Sequence, residues 1–413
     1  MVNISTRSLP KQESIKTSTI TLAASKSISN RTLIIDALCE GDSQLHNLAE
    51  ARDTVLMTKL LPDHHHTIDV MDAGTTMRFL TAYFALTNQF KILTGTPRMQ
   101  ERPIGILVDA LRKIGAEIKY LINDGYPPLK TKGFSTQKSN RINIPGDISS
   151  QYISAILMMA PTLPQGLKVI LTGRIMSRPY ISMTLGLMSR FGATYTWVDN
   201  VINIPGQAYQ ATTFKVESDW SAASYWYSIM ALSKSGEITL IGLEDQSLQG
   251  DRQIAEIMQP LGVETKFHND GITLSKGAST TDCLSHDFSS CPDLGPTVMA
   301  TCAALGVSCV ATGLESLRIK ETDRIAALQN ELGKIGAKLE EEAGTWRLHP
   351  GNDLNASLPV TFRTYEDHRM AMALAPLALR LPVIIEEPEV VQKSYPGFWS
   401  DLAMAGIEST SNN

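Results

Sequence analysis

The segment LRIKETDRIAAL (residues 317–328) concentrates charged side chains just before a predicted helix. Within it, Lys320 and Arg324 flank Glu321 and Asp323. A positioned carboxylate can transfer a proton, and Lys and Arg can hold a phosphate or a carboxylate. The segment therefore predicts proton transfer beside a bound anion. It is also consistent with a solvated first helical turn whose side chains form i,i+3 and i,i+4 ion pairs.

Similar polar residues stand at other predicted strand-to-helix junctions. They are Lys26, Ser27, Arg31, Gly74, Arg78, Arg102, Ser149, Ser150, Gln151, Ser177, Arg178, Tyr180, Asp293, Asp367, His368, Arg369 and Lys393. An acidic chain that places cations at equivalent points predicts substrates with several negative charges. Asp293 and Glu321 are the carboxylates available for proton transfer, although Asp293 also has the position of a helix N-cap.

The elements that position these residues form a repeated unit. An amphipathic helix that ends at Gly, followed by an apolar strand, recurs roughly every 70 residues. The glycines are Gly115, Gly192, Gly262, Gly336 and Gly406. Each copy is preceded by another helix that is apolar after a polar first turn, a pattern that predicts burial. The free N–H groups and positive dipole ends of such helices bind anions.

The repeats predict an α+β fold of six similar units, grouped as two domains of three. We place one domain at residues 22–215 and the other at residues 1–21 plus 216–413. The linker is expected in FKVESDW, residues 214–220.

Composition narrows the class of protein. The 413 residues carry a net charge of −5 and a sequence pI of about 5.9, so no basic field favours nucleic acid or an acidic membrane. No apolar run approaches the ~20 residues that a membrane span needs, and the N-terminal segment lacks the apolar core of a secretory signal. Five cysteines without a CxxC pair indicate reduced thiols. We therefore expect a cytoplasmic protein.

Nine segments together resemble one enzyme family. KSISNR, DAGTTMR, PRMQERPI, SSQY, SRPY, PDLGPT, KETDR, DHRMAMA and KSYP are similar, in this order, to the signature segments of 5-enolpyruvylshikimate-3-phosphate synthases. The resemblance implies two domains of three βαβαββ units, with buried parallel helices covered by mixed sheets and a ligand cleft between the domains. It also implies transfer of the enolpyruvyl group of phosphoenolpyruvate to the 5-hydroxyl of shikimate-3-phosphate through a tetrahedral intermediate. Neither a metal nor an organic cofactor is expected, and we expect a monomer.

The resemblance also implies roles for individual residues. The catalytic residues would be Asp293, Glu321 and Lys26. Shikimate-3-phosphate would be bound by Lys26, Ser27, Arg31, Ser149, Ser150, Gln151, Ser177, Asp293, Ser316 and Lys320. Phosphoenolpyruvate would be bound by Lys26, Gly74, Arg102, Gln151, Arg324, Arg369 and Lys393. The domain of residues 22–215 would form the shikimate-3-phosphate side, and the other domain would carry the catalytic carboxylates and phosphoenolpyruvate-binding cations.

Three departures from the family pattern stand out. Asp72 and Ser316 each occupy a position where the family usually has Asn, and the interval from Asp53 to Gly74 is shorter by roughly two dozen residues. Two interpretations of Asp72 are open: it only caps a helix, or its negative charge weakens phosphoenolpyruvate binding. The shortened interval predicts a truncated first repeat.

Three alternatives differ in testable features. The related transferase that acts on UDP-N-acetylglucosamine usually places a reactive Cys in the region that reads LTGTPRMQERPIGILV here, which has none. A catalytically inactive anion-binding paralogue would have lost Asp293 or Glu321, and both are present. A phosphate-end cyclase of nucleic acids is disfavoured by the acidic composition.

Overall fold

The computed structural model describes residues 4–147, 149–176, 178–351, 354 and 358–412. The chain forms two compact units. We call Ser25–Val216 the central unit, and Met1–Ala24 together with Glu217–Asn413 the terminal unit. None of the helices in the described part of the chain combines the length and the apolar character that a membrane span requires.

The helices are α1 (Lys26–Asp36), α2 (Arg52–Leu60), α3 (Gly74–Leu86), α4 (Pro97–Gln100), α5 (Gly105–Ile114), α6 (Ser150–Met159), α7 (Arg178–Arg190), α8 (Trp220–Leu232), α9 (Ile254–Met258), α10 (Gly295–Leu305), α11 (Arg324–Gly333), α12 (His368–Leu374) and α13 (Phe398–Met404).

The strands are β1 (Thr6–Leu9), β2 (Ser18–Thr21), β3 (Cys39–Glu40), β4 (Gln44–His46), β5 (Thr67–Asp69), β6 (Ile92–Thr94), β7 (Glu117–Tyr120), β8 (Leu129–Gly133), β9 (Arg141–Pro145), β10 (Leu167–Thr172), β11 (Thr196–Val198), β12 (Val201–Ile204), β13 (Tyr209–Gln210), β14 (Thr213–Lys215), β15 (Glu237–Ile241), β16 (Val263–His268), β17 (Gly271–Lys276), β18 (Cys283–Asp287), β19 (Ser308–Thr312), β20 (Lys338–Glu342), β21 (Thr345–His349), β22 (Val360–Phe362), β23 (Val383–Glu386) and β24 (Thr410–Asn412).

The central unit contains two four-stranded mixed sheets, with the orders β5-β6-β8-β7 and β11-β12-β10-β9. In each, the first two strands along the chain run parallel and the last two form an antiparallel hairpin. The shortened first repeat consists of two short parallel pairs, β3 with β13 and β4 with β14. Each four-stranded sheet is therefore one βαβαββ unit.

The terminal unit contains three four-stranded sheets, with the orders β16-β17-β15-β2, β18-β19-β21-β20 and β22-β23-β1-β24. The N-terminal strands complete two of them, because β2 pairs in parallel with β15 and β1 lies between β23 and β24. Helices α8, α10 and α12 pack against one another beneath these sheets. Buried helices and mixed sheets confirm the predicted α+β class.

Polar residues begin several of the helices that matter for the site, because a side-chain oxygen satisfies a free N–H group of the first turn. Asp219 accepts from the Ser221 amide at 2.8 Å, and Asp323 accepts from the Ala326 amide at 3.0 Å. Beyond these starts the helices are apolar: α8 and α10 are buried along almost their whole length. In α8, every residue except Ser221 of the first turn is buried.

Candidate active site

Arg324, the first residue of α11, is the centre of an ion-pair network in the terminal unit. Its side chain is only 2% exposed. Nε donates to Asp367 Oδ2 at 2.7 Å, Nη1 donates to Asp293 Oδ1 at 3.0 Å, and Nη2 donates to Glu321 Oε2 at 2.8 Å. The i,i+3 ion pair expected within KETDR is therefore present between Glu321 and Arg324, but Arg324 is buried and Lys320 to Asp323 precede α11, so the segment is not a solvated helical turn. Three carboxylates share one buried guanidinium, which keeps the Arg324 side chain in a single orientation.

Asp293 lies in the 3-10 turn Pro292–Leu294 and contacts three cations. Besides Arg324, its carboxylate lies 3.1 Å from Arg369 Nη2 and 3.5 Å from Lys320 Nζ. Burial raises the pKa of Asp293, but Arg369, Lys320 and Arg324 outweigh burial and hold that pKa well below its usual range. Leu294, which makes no side-chain cap bond, is the N-cap of α10. The helix-cap alternative for Asp293 is therefore wrong, and its carboxylate is ionised at neutral pH.

Glu321 joins Arg324 to a further cation. Its Oε1 lies 3.6 Å from Lys393 Nζ, at the end of the 3-10 helix Pro388–Lys393. The Lys393 side chain is largely buried, whereas Glu321 is half-buried and reaches solvent. A carboxyl group in this position can exchange protons with a ligand that the cations hold.

Arg369 contacts Ser221 and Tyr225, which were not among the predicted site residues. Its guanidinium lies 3.3 Å from Ser221 Oγ and 3.4 Å from Tyr225 Oη. Ser221 Oγ donates in turn to Asp251, which is buried. Desolvation, followed by the negative charge of Asp293, raises the pKa of Asp251 to about 7. The polar start of α8 signalled Ser221, whereas Asp251 lies in the 3-10 turn Gly250–Gln253, between β15 and α9.

In the central unit, Lys26 and Arg31 lie on α1. Lys26 Nζ lies 3.3 Å from Asp53 Oδ2, in the first turn of α2. Arg31 is buried: its Nε donates to Thr184 Oγ1 at 2.7 Å, and its Nη1 donates to the Ser27 carbonyl at 2.8 Å. Desolvation lowers the pKa of Arg31 to about 10. These bonds fix the beginning of α1, where Lys26 and Ser27 stand.

Gly74 begins α3 and lies directly against Arg102. A Cβ atom built on Gly74 would come within 2.6 Å of Arg102 Nη1 and 2.8 Å of Nη2. Arg78, one turn further along α3, donates to the Gly74 carbonyl at 3.0 Å and to the Pro103 carbonyl at 3.2 Å. The absent side chain of Gly74 therefore makes room for the Arg102 guanidinium, and Arg78 holds the two segments together.

The beginning of α6 meets the beginning of α3. Ser149 is the N-cap of α6 and accepts from the Gln151 amide at 3.4 Å. The Gln151 side chain donates to Thr75 Oγ1 at 3.1 Å, beside Gly74. Ser150 is the first residue of α6. Ser177 lies outside the described residues.

Ser316 and Asp72, the two residues that differ from the usual Asn of the family, lie in different environments. Ser316 is half-buried in the 3-10 turn Glu315–Ile319, shortly before Lys320. Asp72 forms an ion pair with Arg52, whereas the N-cap of α3 is Ala73. The expectation that Asp72 caps a helix is therefore wrong, because its carboxylate points to a cation on α2.

Among the described residues, no group of three or more His, Cys, Asp or Glu side chains could hold a metal ion.

The fold and the site define a two-unit α+β protein built from βαβαββ repeats. Its cations and carboxylates suit a transferase that acts on anionic substrates.

Comparison with known proteins identifies the family. The family model for EPSP synthase (3-phosphoshikimate 1-carboxyvinyltransferase) matches residues 11–63 and 60–402. The chain belongs to the EPSP synthase family, and the resemblance predicted from its motifs is confirmed.

Individual relatives agree with this assignment. A 3-phosphoshikimate 1-carboxyvinyltransferase of Bacteroides fragilis strain YCH46 is 50% identical over 391 residues, covering 94% of this chain and 95% of that protein. An enzyme of the same name from Sulfurovum sp. strain NBC37-1 is 37% identical over 413 residues, covering 93% and 95%. An EPSP synthase structure from Acinetobacter baumannii superposes with a TM-score of 0.81 at 21% identity, over 99% of this chain and 100% of that one.

Proposed function

We propose that this protein transfers the enolpyruvyl group of phosphoenolpyruvate to the 5-hydroxyl of shikimate-3-phosphate and releases phosphate, a step in aromatic amino-acid biosynthesis. The single observation that carries the chemistry is the Arg324 guanidinium, which binds Asp293 and Glu321 at once. It places two carboxylates, one fully ionised and one half-exposed, beside Arg369, Lys320 and Lys393. Membership of the EPSP synthase family supports the substrates.

The reaction needs one proton donor and one proton acceptor. Glu321 in its acid form donates a proton to the methylene carbon of phosphoenolpyruvate, and the neighbouring carbon acquires oxocarbenium character. The 5-hydroxyl attacks that carbon while Asp293 takes the hydroxyl proton. Glu321 then removes a proton from the new methyl group, the carbon–carbon double bond re-forms, and phosphate leaves with the electron pair of its carbon–oxygen bond. The proton on Asp293 passes to the departing phosphate or to solvent, which restores the carboxylate.

The cations determine when Asp293 becomes a useful base. In the structure Arg369, Lys320 and Arg324 stabilise its ionised form. A phosphoenolpyruvate bound to Arg324 and Arg369 would share these cations, which weakens their hold on the carboxylate and raises its proton affinity. Proton uptake by Asp293 would therefore follow substrate binding. Fixed cations also stabilise the charge on the departing phosphate.

We assign binding roles as the family resemblance implies. Phosphoenolpyruvate is held by Lys26, Gly74, Arg102, Gln151, Arg324, Arg369 and Lys393. Shikimate-3-phosphate is held by Lys26, Ser27, Arg31, Ser149, Ser150, Gln151, Ser177, Asp293, Ser316 and Lys320. Placing cations around both anions offsets their mutual repulsion and holds them in attack geometry. The cytoplasmic location and the monomeric state stay predictions; light scattering during gel filtration tests the second.

The decisive experiment measures phosphate release from mixtures in which each substrate is omitted in turn. Phosphate should appear only when both are present, together with a product whose mass corresponds to shikimate-3-phosphate plus the enolpyruvyl group. Replacing shikimate-3-phosphate with UDP-N-acetylglucosamine should give no phosphate, since the matches favour the EPSP synthase family. Failure to release phosphate with both substrates would overturn the proposal.

A further inference from the structure

Two adjacent residues at the start of α2 contact the segments that carry Lys26 and Gly74. Asp53 pairs with Lys26, as described above. Its neighbour Arg52 points to the loop that enters α3: Arg52 Nη2 lies 2.8 Å from Asp72 Oδ1 and 2.7 Å from Asp72 Oδ2. The first turn of α2 therefore reaches both segments at once.

The loop before α3 has an unfavourable backbone conformation. Met71 has a φ of +51°, in the left-handed region that large side chains rarely adopt. Its N–H donates to Asp69 Oδ1 at 2.8 Å, and its carbonyl accepts from the Thr96 amide at 3.0 Å. Such a conformation persists only where surrounding contacts determine it. The Arg52–Asp72 pair lies next to this segment, two residues before Gly74.

The charge of Asp72 works against the task assigned to this region. Gly74 begins α3, and the Arg102 guanidinium rests against its Cα. The positive end of a helix and an adjacent arginine attract an anion, whereas a carboxylate in the preceding loop repels it. The Arg52 guanidinium lies within hydrogen-bond distance of both oxygens of the Asp72 carboxylate and opposes its charge. The repulsion that the sequence predicted for Asp72 is therefore offset within the central unit.

We propose that Arg52 is a positioning residue of the phosphoenolpyruvate site, which acts by neutralising Asp72. The inference rests on the function proposed above. Arg52 and Asp72 are 54% and 36% exposed, so their ion pair contributes little to the stability of the whole fold. Its effect is local, on the affinity for an anion at the start of α3, and not on the chemical step.

A double-mutant cycle tests this role with Arg52→Ala, Asp72→Asn and the combined variant. Arg52→Ala should raise KM for phosphoenolpyruvate about three- to tenfold, since it removes the positive charge that lies against the Asp72 carboxylate. The combined variant should return to within about twofold of the wild type, because the repelling charge is gone. Arg52→Lys, which keeps the charge, should stay near the wild-type KM. In all variants kcat, KM for shikimate-3-phosphate and Tm should be nearly unchanged.

Arg98→Ala is the matched control, because it removes a similarly exposed arginine that pairs with Glu101 on the same unit. It should leave KM unchanged. An unchanged KM in Arg52→Ala, or a raised KM that Asp72→Asn does not restore, would overturn the inference.

Calorimetric titration of the same variants with phosphoenolpyruvate, in the presence of shikimate-3-phosphate, separates the two proposals. If the wild type binds phosphoenolpyruvate without releasing phosphate, the proposed reaction fails while the affinities still decide the role of Arg52. If the wild type does not bind it, both proposals fail.

Discussion

At the scale of single residues, the terminal unit balances its charges around Arg324. Four cations, Lys320, Arg324, Arg369 and Lys393, face three carboxylates, Asp293, Glu321 and Asp367. Four positive and three negative charges leave a net charge of +1 when all are ionised. Each of these four cations is therefore paired with at least one of the three carboxylates.

Isosteric replacement of the two proposed proton carriers tests their roles. Asp293→Asn and Glu321→Gln should each lower kcat by about 10²- to 10⁴-fold, because an amide cannot take or give the required proton. Both variants should keep the native circular dichroism spectrum, since the remaining carboxylates still bind Arg324. The measurement is the rate of phosphate release at saturating substrates.

Glu264→Gln, on the exposed face of β16, is the control for the loss of a carboxylate. Near-normal turnover in Asp293→Asn or Glu321→Gln would refute the corresponding assignment.

The raised pKa of Asp251 predicts that the stability of the protein depends on pH. Its pKa is raised to about 7 from an ordinary value of 3.8, by desolvation and by Asp293 and Asp219, against the opposing charge of Arg369. Between these values the folded protein keeps a proton that the unfolded chain has lost, so stability falls as the pH rises toward 7. Asp251→Asn removes this titration. The unfolding free energy of the variant, relative to the wild type, should therefore increase from pH 5 to pH 8.

Urea unfolding at pH 5, 6.5 and 8 measures this difference. It should change by at most a factor of about ten in the unfolding equilibrium constant for each pH unit in that window. A difference independent of pH would show that Asp251 titrates normally.

At the scale of elements, the beginnings of helices carry the proposed site. Lys26, Gly74 and Ser150 begin α1, α3 and α6, and Arg324 begins α11. The remainder of α3 and α6 is almost wholly buried and mostly apolar, with Arg78 and Ser154 among the buried polar residues. This division fixes each functional residue on a rigid element while its backbone N–H groups and side chain remain available for a ligand.

The contact between Gly74 and Arg102 can be tested at this scale. In Gly74→Ala the new methyl group would overlap the guanidinium at 2.6 Å, so Arg102 must move while the helix itself gains a favourable residue. We expect a raised KM for phosphoenolpyruvate in both Gly74→Ala and Arg102→Ala. In the Arg102→Ala background, Gly74→Ala should have almost no further effect, because there is no guanidinium left to displace.

Steady-state kinetics of the two single variants and the combined variant measure this coupling. Arg98→Ala again serves as the control for loss of a nearby arginine. Fully additive effects would mean that the two residues act independently.

At the scale of the whole molecule, the terminal unit combines two separate segments of the sequence, Met1–Ala24 and Glu217–Asn413, in one compact unit. Strand β1 lies between β23 and β24, and β2 forms the edge beside β15. The two segments join closely, because Ala24 bridges Ser218 and the Asp219 amide donates to the Ala23 carbonyl at 2.9 Å. The N-terminal residues are therefore part of the core of this unit.

A chain that joins residues 1–24 through a short glycine linker to residues 217–413 should fold cooperatively, whereas residues 217–413 alone should not. Without β1 and β2, two sheets lose strands and the buried Leu9 and Ile20 leave the core. Far-UV circular dichroism with urea unfolding measures the outcome.

In the joined chain, Ile20→Asp should abolish the cooperative transition, because Ile20 is buried. Thr19→Asp is the control: Thr19 is the exposed neighbour of Ile20, and its replacement should leave the transition cooperative. A cooperative transition for residues 217–413 alone would contradict this account.

The sequence by itself determined the local features of this protein. The apolar helices with polar starts, the helix-ending glycines and the six-fold repetition follow from patterns a few residues long, since helix capping and amphipathicity are local effects. The motifs around Lys26, Arg102 and Arg324 also indicated the family, and the comparisons confirmed it.

Only the tertiary structure decided which distant groups meet. Thr6 pairs with Glu386, Arg324 with Asp367, Asp72 with Arg52, and Asp251 reaches Arg369 through Ser221. No local pattern encodes these contacts, because they depend on how separate elements pack to bury apolar surface and satisfy buried charge. For the same reason, the alternatives for Asp293 and Asp72 as helix caps remained open until their actual partners were located.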